Sequence, residues 1–447
     1  MAPVGKLIDA FEGEVVRRGD PGYDAARVVW NGMVDRYPAL VVRPTSADDV
    51  AAAIRFARER ELVVAVRSGG HSIAGHSTCD DGIVIDLSRM RGVRVDAAGR
   101  TARANGGALL AELDQEAQAV GLVCPVGVVS HTGVAGLTLG GGMGRLQRSR
   151  GLTIDSLAAV ELVTADGRLV RASEDENADL FWGLRGAGPN FGIATAFEFR
   201  LQPFDGRITY GTVAHPIERA DEVAALYREL VETGPDELWA SFGLGLAGAR
   251  PVATLSVCHS GTVDAAERDL AQLHAFAPPV AGTIEVRPYL DVQQMHDEAM
   301  AWGHRFYMKS AFLPALPDEV VHRGVEHVAR VPDGTDGAVS VWSWGRAIGA
   351  VPETATAFTG REAAYWISAE IYWDDASLDD ECRAWSRAAM RDVEPHALTG
   401  RYVNDVADTT EGIAQSIYGE AKHDRLVALK RTWDPDNVFR LNQNVRP

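Results

Sequence analysis

The alternation of apolar and polar residues divides the first part of the chain into short strands and helices. β-Branched apolar runs at Leu62–Val66 and Ile83–Leu87 predict two buried strands, and Leu40–Val42 predicts another. Between them, Ser46 precedes two aspartates and is placed to cap a helix that runs to about Arg60. Strand, helix and strand in quick succession are typical of a small α/β unit.

The same patterns continue along the chain. Helical spacing predicts helices over Lys6–Arg18 and Ala108–Val120, and Asp166-Gly167 predicts the turn of a β-hairpin. After the strand Ile193–Leu201 and the break at Gln202-Pro203, glycine clusters become rare and helices alternate with strands. We therefore place a domain boundary there, with residues 1–203 in a first part and residues 204–401 in a second domain.

A glycine pair follows the first buried strand, in the segment Arg67-Ser68-Gly69-Gly70-His71-Ser72. Glycine permits positive φ and leaves successive N–H groups unobstructed, so that they can form a nest for a phosphate. Arg67 would add positive charge beside that nest, and His71 would place a nucleophile-capable imidazole next to it. The alternative is a simple strand–turn–strand corner in which His71 bonds a carbonyl oxygen.

Two further glycine-rich stretches strengthen the first interpretation. The third stretch is Arg185–Gly192. The second stretch precedes it along the chain and holds six glycines within twelve positions: Gly133, Gly136, Gly140, Gly141, Gly142 and Gly144. Such density lets the backbone approach a flat or phosphorylated ligand closely. The spacing matches neither the dinucleotide-binding fingerprint nor a Walker loop.

Composition restricts the partners. The net charge of −18 and the isoelectric point near 5.1 argue against a nucleic-acid or anionic-membrane partner. Four widely spaced cysteines show no metal-binding pattern and are typical of free thiols in a reducing compartment. With no apolar run of membrane-spanning length, we expect a cytoplasmic protein without a metal site or membrane partner; the sequence leaves its oligomeric state open.

Taken together, the motifs resemble the FAD-linked oxidases of the vanillyl-alcohol oxidase superfamily, in the berberine-bridge-enzyme-like branch. The resemblance rests on segments in the family's order: Arg67–Ser72, Gly133–Gly144, Gly151–Asp155, Asp179–Trp182, Arg185–Gly192 and Asp434–Asn444. It implies an α+β fold with a bipartite FAD-binding domain of two α/β subdomains (PCMH-type). An antiparallel sheet flanked by helices would form the substrate domain, and residues 402–447 would return to the FAD domain.

The resemblance also implies the cofactor site. His71 would bond covalently to the flavin 8α-methyl carbon, which raises the reduction potential and holds the ring in place. The residues implied in FAD binding are Arg67, Ser68, Gly69, Gly70, His71, Ser72, His131, Thr132, Gly133, Gly136, Gly140, Gly141, Gly142, Gly144, Ile193, Asn442 and Asn444. Some family members hold a second covalent link through a cysteine. Here His131 occupies that neighbourhood, so we predict a single link through His71, with Cys124 as the alternative for a second.

The catalytic base departs from the family pattern. Members that oxidise alcohols often carry a tyrosine after Tyr-x-Asn, whereas here Tyr402-Val403-Asn404 precedes Asp405. Our hypothesis is that Asp405 and Glu370 replace a tyrosine pair and accept the substrate proton; the alternative is that both are solvated acids at strand ends.

Three residues are candidates for substrate contact. Lys309 lies in an apolar strand-like segment, where it can orient an anionic or phenolic substrate or extend from a strand edge into water. Tyr365 is a candidate within an aromatic pocket that Trp366 and Tyr372 could also line, although aromatic residues in strands often belong to the core. Tyr402 is the third candidate.

The predicted function is a flavin oxidase. It would remove a hydride from a small alcohol, amine or phenolic metabolite and pass the electrons to O₂, which yields hydrogen peroxide. The alternatives are a dehydrogenase of the same fold that excludes O₂ and a flavin-binding protein without turnover.

Overall fold

The computed structural model describes residues 11–410 and 412–447 and contains three main β-sheets with helices packed against them. The first sheet has four strands, which lie in this order: Glu14–Arg17, Leu40–Arg43, Ile83–Asp86 and Val64–Arg67. The last three are parallel. Their burial on both faces explains the continuous apolar runs.

The N-terminal helix prediction is wrong where the structure tests it. Glu14–Arg17 forms an antiparallel edge strand with Leu40–Arg43, while Lys6–Ala10 lies outside the described residues. Val15 and Val16 are β-branched and favour a strand, and sheet pairing outweighs the helical spacing. The predicted cap at Ser46 is confirmed, because its hydroxyl accepts a hydrogen bond from the N–H of Asp49 at 3.1 Å.

The second sheet is antiparallel throughout. Its strands lie in the order Val93–Asp96, Thr101–Asn105, Ile193–Arg200, Leu157–Val163 and Leu169–Ser173, and a separate short pair joins Leu122–Val123 to Gln202–Pro203. The predicted hairpin turn is confirmed: Gly167 has a φ of +80°, and the Thr164 N–H donates to the Arg168 carbonyl oxygen at 2.9 Å.

The third sheet has seven antiparallel strands, which lie in the order Ala281–Pro288, Arg207–Pro216, Arg250–His259, Leu238–Ala247, Asp336–Ser343, Tyr365–Trp373 and Arg305–Leu313. One face of this sheet packs on the helices Ala220–Thr233, Asp318–Val328 and Asp379–Val393. The opposite face of its last three strands turns toward the glycine-rich loops of the first part of the chain.

The remaining helices cover the sheets or connect them. They are Tyr23–Arg27, Ala47–Glu59, Leu110–Gln118, Val134–Gly140, Gln147–Arg150, Ala178–Ala187, Val263–Asp269, Ala271–Ala275, Tyr289–Gln294, Ala347–Ala350, Ile413–Tyr418 and Glu420–Trp433. In the described part of the chain, no helix combines the length and the apolar character needed to cross a membrane.

The C-terminal segment packs into the core of the N-terminal half. Ile417, Leu426 and Val445 share one apolar cluster with residues of the second sheet. Lys430 is fully buried there and donates to Asp434 at 2.8 Å and to the carbonyl oxygen of Asn190 at 2.8 Å. The tail is therefore fixed against the third glycine-rich turn by the hydrogen bond from Lys430 to Asn190, while Asp434 balances the buried charge of Lys430 from within the tail.

Candidate active site

A cavity of about 400 Å³ lies between the glycine-rich loops and the third sheet. Its walls come mainly from six parts of the chain: residues 68–77, most of 127–139 together with Met143, residues 189–194, the sheet face that includes Trp366 and Tyr372, and two parts of the tail, 402–406 and 439–443. The cavity thus joins elements that are far apart in sequence.

His71 borders the cavity at the end of the strand Val64–Arg67. Its Nε2 lies 2.7 Å from Nδ1 of His131, and its ring stacks on Trp30 at a centroid distance of 4.9 Å. Burial, together with the neighbouring His131, lowers the pKa of His71 to about 3. The imidazole is therefore neutral at physiological pH and has a lone pair available for bonding.

The loop around His71 is built for close approach of a ligand. Within the described residues, the backbone N–H groups of Gly69, Gly70, His71 and Ser72 donate to no protein acceptor. Gly69 has no room for a side chain, because a Cβ would lie 2.1 Å from the backbone nitrogen of Gly133. The free N–H groups and the tight backbone match a phosphate nest.

Arg67 does not contribute to this nest, which corrects the prediction. Its guanidinium pairs with Asp86 at 2.7 Å and donates to the carbonyl oxygens of Ala26 and Val28. Val64 and Val66 of the same strand border the cavity. Successive side chains of a strand alternate between its faces, so Arg67 points to the other side.

The second glycine-rich stretch contributes in two different ways. Thr132, Gly133 and Gly136 border the cavity, as does Ile193, whereas Gly140, Gly141, Gly142 and Gly144 lie behind it. The latter glycines permit close packing: a Cβ on Gly140 would lie 2.2 Å from the Asn404 side chain, and the Gly142 N–H donates to the Tyr402 hydroxyl at 3.0 Å. Gly140 and Gly142 thus pack against two residues that border the cavity.

Both proposed carboxylates border the cavity. Asp405 is 8% exposed, and its Oδ2 accepts hydrogen bonds from Ser310 Oγ and Trp366 Nε1, both at 2.9 Å. Burial raises the pKa of Asp405 to about 7, against the lowering effect of these two donors. Glu370 accepts from Ser340 Oγ at 3.0 Å, and burial also raises the pKa of its carboxyl. Neither residue is a solvated acid at a strand end.

Lys309 and Tyr365 do not border this cavity, which corrects two predictions. Lys309 pairs with Asp408 at 3.0 Å, and Tyr365 is buried in the helix-facing core, where it contacts Tyr227. On the strand Tyr365–Trp373, the residues that share the orientation of Glu370 are Trp366, Ser368 and Tyr372. Alternation therefore excludes Tyr365, and on the neighbouring strand it excludes Lys309.

Tyr402 and Asn442 border the cavity. Asn444 does not border it. Cys124 is 1% exposed and also lies away from the cavity wall, and burial raises the pKa of its thiol well above the usual range.

The sequence interpretation missed much of the apolar wall. The residues that it did not assign to the site are Trp30, Met300, Phe306, Met308 and Trp342. For the three strand residues among them a signal existed: Phe306 and Met308 alternate with Tyr307 and Lys309, and Trp342 alternates with Val341. Trp30 and Met300 lie in loops, and no periodic pattern marks them.

The fold and the cavity define a class of protein, and comparisons with known proteins identify it. Residues 38–173 match the family of FAD binding domains, and residues 401–446 match the berberine and berberine-like family. The chain belongs to the FAD-linked oxidoreductases of the vanillyl-alcohol oxidase superfamily, in the berberine-bridge-enzyme-like branch. It is an enzyme of this class, and its cofactor is FAD.

Particular relatives extend over nearly the whole chain. It is 32% identical to (R)-6-hydroxynicotine oxidase of Paenarthrobacter nicotinovorans, over 98% of this chain and 97% of the relative. An FAD-linked oxidoreductase of Dictyostelium discoideum is 31% identical over 99% and 97% of the two chains. The crystal structure of 6-hydroxy-D-nicotine oxidase from Arthrobacter nicotinovorans superposes with a TM-score of 0.91 at 30% identity and covers 100% of both chains, which confirms the predicted fold class.

The residues at the cavity fit FAD. Several buried polar atoms on its wall have no hydrogen-bond partner among the described residues: Ser68 Oγ, His76 Nδ1 and Nε2, Asn442 Oδ1 and Gln443 Oε1. Buried polar groups in native proteins are rarely left unpaired, so these atoms indicate a polar ligand. A Cβ at Gly136 would meet no protein atom within 4 Å, so this glycine leaves space open at the cavity.

Proposed function

We propose that the protein is an FAD-dependent oxidase that removes a hydride from a small apolar amine, or from a related alcohol or phenol, and delivers the electrons to O₂. When bound, FAD supplies the hydride acceptor and the site of reaction with O₂. The observation that carries the proposal is the Asp405 carboxyl, which borders the cavity beside the aromatic side chains of Trp366 and Tyr402 and whose pKa burial raises to about 7.

Different residues at the cavity would bind FAD and act on the substrate. The N–H groups of Gly69–Ser72 and the orphaned Ser68 hydroxyl would hold the phosphates, and His71 would hold the flavin covalently. Asp405, in its ionised form, would accept the proton that the substrate releases. Tyr402, whose hydroxyl is held by Gly142 and Asn404, would position the substrate beside it.

The cavity wall favours an amine. Its large side chains are aromatic or thioether groups, and among the described residues that border it there is no lysine or arginine. A carboxylate or phosphate on the substrate would find no cationic partner, whereas a basic nitrogen would find two carboxyls. The name of the nicotine-oxidising relative supports the same substrate class.

In the experiment, the purified holoprotein is mixed anaerobically with one of three substrates, and the loss of oxidised-flavin absorbance is recorded. The substrates are an aryl-alkyl amine, its alcohol analogue and a sugar. We expect the amine to reduce the flavin fastest, and air to restore the oxidised spectrum with formation of hydrogen peroxide. Asp405→Asn should slow reduction by about 10²–10⁴-fold, the usual contribution of a general base. Reduction at the wild-type rate in this variant would refute the role of Asp405.

The covalent attachment is tested separately. Acid precipitation should leave the yellow colour with the protein, and peptide mapping should place it on the His71 peptide. His71→Ala should release the colour into the supernatant while Cys124→Ala retains it. Colour that stays on the protein in His71→Ala would contradict the proposed link.

A further inference from the structure

Three serines lie side by side across three neighbouring strands of the third sheet. Ser310 is the direct cross-strand partner of Ser368, and Ser368 is the direct partner of Ser340 on its other side. Directly opposite residues of antiparallel strands point to the same face. This serine ladder (Ser310, Ser368 and Ser340) therefore lies on the face that carries Glu370 and Trp366.

The two ends of the serine ladder hold the two carboxyls of the cavity. Ser310 Oγ donates to Asp405 Oδ2 at 2.9 Å, and Ser340 Oγ donates to Glu370 Oε1 at 3.0 Å. The central Ser368 is fully buried, and its hydroxyl has no hydrogen-bond partner among the described residues. Burial of a hydroxyl without a hydrogen-bond partner destabilises the folded state. The position of the Ser368 hydroxyl between two hydrogen-bonded serines therefore needs an explanation.

Another pair in the same sheet shows that hydroxyls of directly opposed residues can form a hydrogen bond. Thr212 and Ser256 are also direct cross-strand partners, and their hydroxyl oxygens are 2.7 Å apart. Cβ atoms of directly opposed residues are about 4.5–5.5 Å apart, and a serine hydroxyl can rotate among three staggered positions. Rotation of Ser368 is therefore sufficient to bring its hydroxyl toward either neighbour.

We propose that Ser368 completes a chain of hydroxyls from Asp405 to Glu370, so that the two carboxyls act as one unit that holds a single shared proton. The proposal rests on the proposed function, because it assigns Asp405 as the group that receives the substrate proton. Ser368 is thus a positioning residue that acts through Ser310 and Ser340.

The hydroxyl chain favours the state in which Asp405 and Glu370 together hold one proton. When both acids are ionised, Ser310 and Ser340 both donate outward and Ser368 can donate to only one of them. When one acid is protonated, all three hydroxyls can point in the same direction, from the protonated acid to the ionised one. A proton that Asp405 accepts can then pass to Glu370 through the three hydroxyls. One O–H bond breaks and one forms at each serine oxygen, while Asp405 loses its O–H bond and Glu370 gains one.

Other charged or titratable groups also surround the pair. Those that face it from the packed elements are Tyr402 and Tyr372 at the cavity, Asp336 at the strand end, and Lys309, Arg401 and Asp408 around a smaller cavity on the far side of Asp405. Within the described residues, no hydrogen bond joins Asp405 directly to Glu370. Coupling between the acids is therefore carried either through the serine ladder or through space.

The test is an infrared titration of the resting holoprotein in D₂O, in which the C=O stretch of protonated carboxyl groups is followed with pH. Asp405→Asn and Glu370→Gln assign the bands. With Ser368 present, Glu370→Gln should lower the midpoint of Asp405 protonation by about one pH unit or more. In the Ser368→Ala background the same substitution should produce less than half of that shift, and Ser368→Thr, which keeps the hydroxyl, should restore it.

Ser386→Ala is the matched control, because Ser386 is equally buried but donates to the Ala369 carbonyl oxygen at 2.7 Å. It should leave the coupling unchanged. Equal shifts with and without the Ser368 hydroxyl would overturn the proposal and assign the coupling to through-space repulsion. If Ser368→Ala does not fold, Ser368→Cys replaces it, since a thiol is a much weaker donor. The infrared titration uses no substrate, so its outcome does not depend on whether the protein oxidises amines.

Discussion

Substitution of Asp405 by asparagine should stabilise the protein at neutral and alkaline pH while it removes activity. Asp405 is 8% exposed, and burial raises its pKa from 3.8 to about 7. Between these two pH values the folded state binds more protons than the unfolded state, so the free energy of unfolding falls as pH rises. The loss begins near pH 4, is complete just above pH 7, and is absent below pH 4.

The magnitude follows from the size of the shift. A change of about three pH units at 1.36 kcal/mol per unit corresponds to about 4 kcal/mol. Asparagine retains one carbonyl oxygen for Ser310 or Trp366 but adds an N–H group that needs a partner, so we expect a gain of about 2–4 kcal/mol at pH 8. For a chain of this length, that gain corresponds to a rise in melting temperature of roughly 2–4 °C.

The assay is thermal unfolding of the holoprotein, followed by flavin fluorescence at a fixed scan rate, at pH 5 and pH 8. The difference between Asp405→Asn and wild type should increase from pH 5 to pH 8. Asp333→Asn, at an exposed turn, is the control and should follow the wild-type curve at both pH values. Parallel curves for wild type and Asp405→Asn across this range would refute the reasoning that burial destabilises the ionised carboxyl.

Two further predictions concern the cofactor site and the tail. Gly136→Ala should fold like wild type but load less FAD, because its Cβ meets no protein atom within 4 Å and would enter the space at the cavity. Gly69→Ala should fail to fold or melt at a much lower temperature, because its Cβ would lie 2.1 Å from the Gly133 nitrogen. Flavin absorbance and circular dichroism separate the two effects, and equal FAD loading in Gly136→Ala and wild type would contradict the expectation that FAD lies against Gly136. Lys430→Met should cost about 3–5 kcal/mol, because it leaves Asp434 buried and unpaired. A melting temperature within one degree of wild type would contradict that assignment, and Lys430→Met combined with Asp434→Leu should recover part of the loss.

The loop Gly69–Ser72 could be predicted from the sequence because local chemistry specifies it. The pair Gly69-Gly70 after a β-branched strand, with His71 behind it, requires a tight loop whose N–H groups are free, and this is what the structure shows. The acids Asp405 and Glu370 were recognisable as unusual only through the family resemblance. Their burial and their hydroxyl partners come from strands that the sequence does not place in register.

Three of the predictions about individual side chains failed for a common physical reason. Arg67, Lys309 and Tyr365 lie on the correct strands but on the wrong faces. The period of two in a strand states which residues share a face, yet it does not state which face meets the cavity. For Lys309 and Tyr365, which lie on the third sheet, the helices Ala220–Thr233 and Asp379–Val393 cover one face and leave the other face to the glycine-rich loops.

The sequence by itself determined the tight loop at Gly69–Ser72 and the order of the glycine-rich stretches, because turns, caps and phosphate nests depend on residues that are close together along the chain. The cofactor class followed from the family resemblance of these motifs. Tertiary structure alone decided which side chains border the cavity, that Asp405 is buried, and that Ser310, Ser368 and Ser340 lie in one row. Burial and register arise from pairing between distant segments, and short-range patterns contain no information about which segments meet.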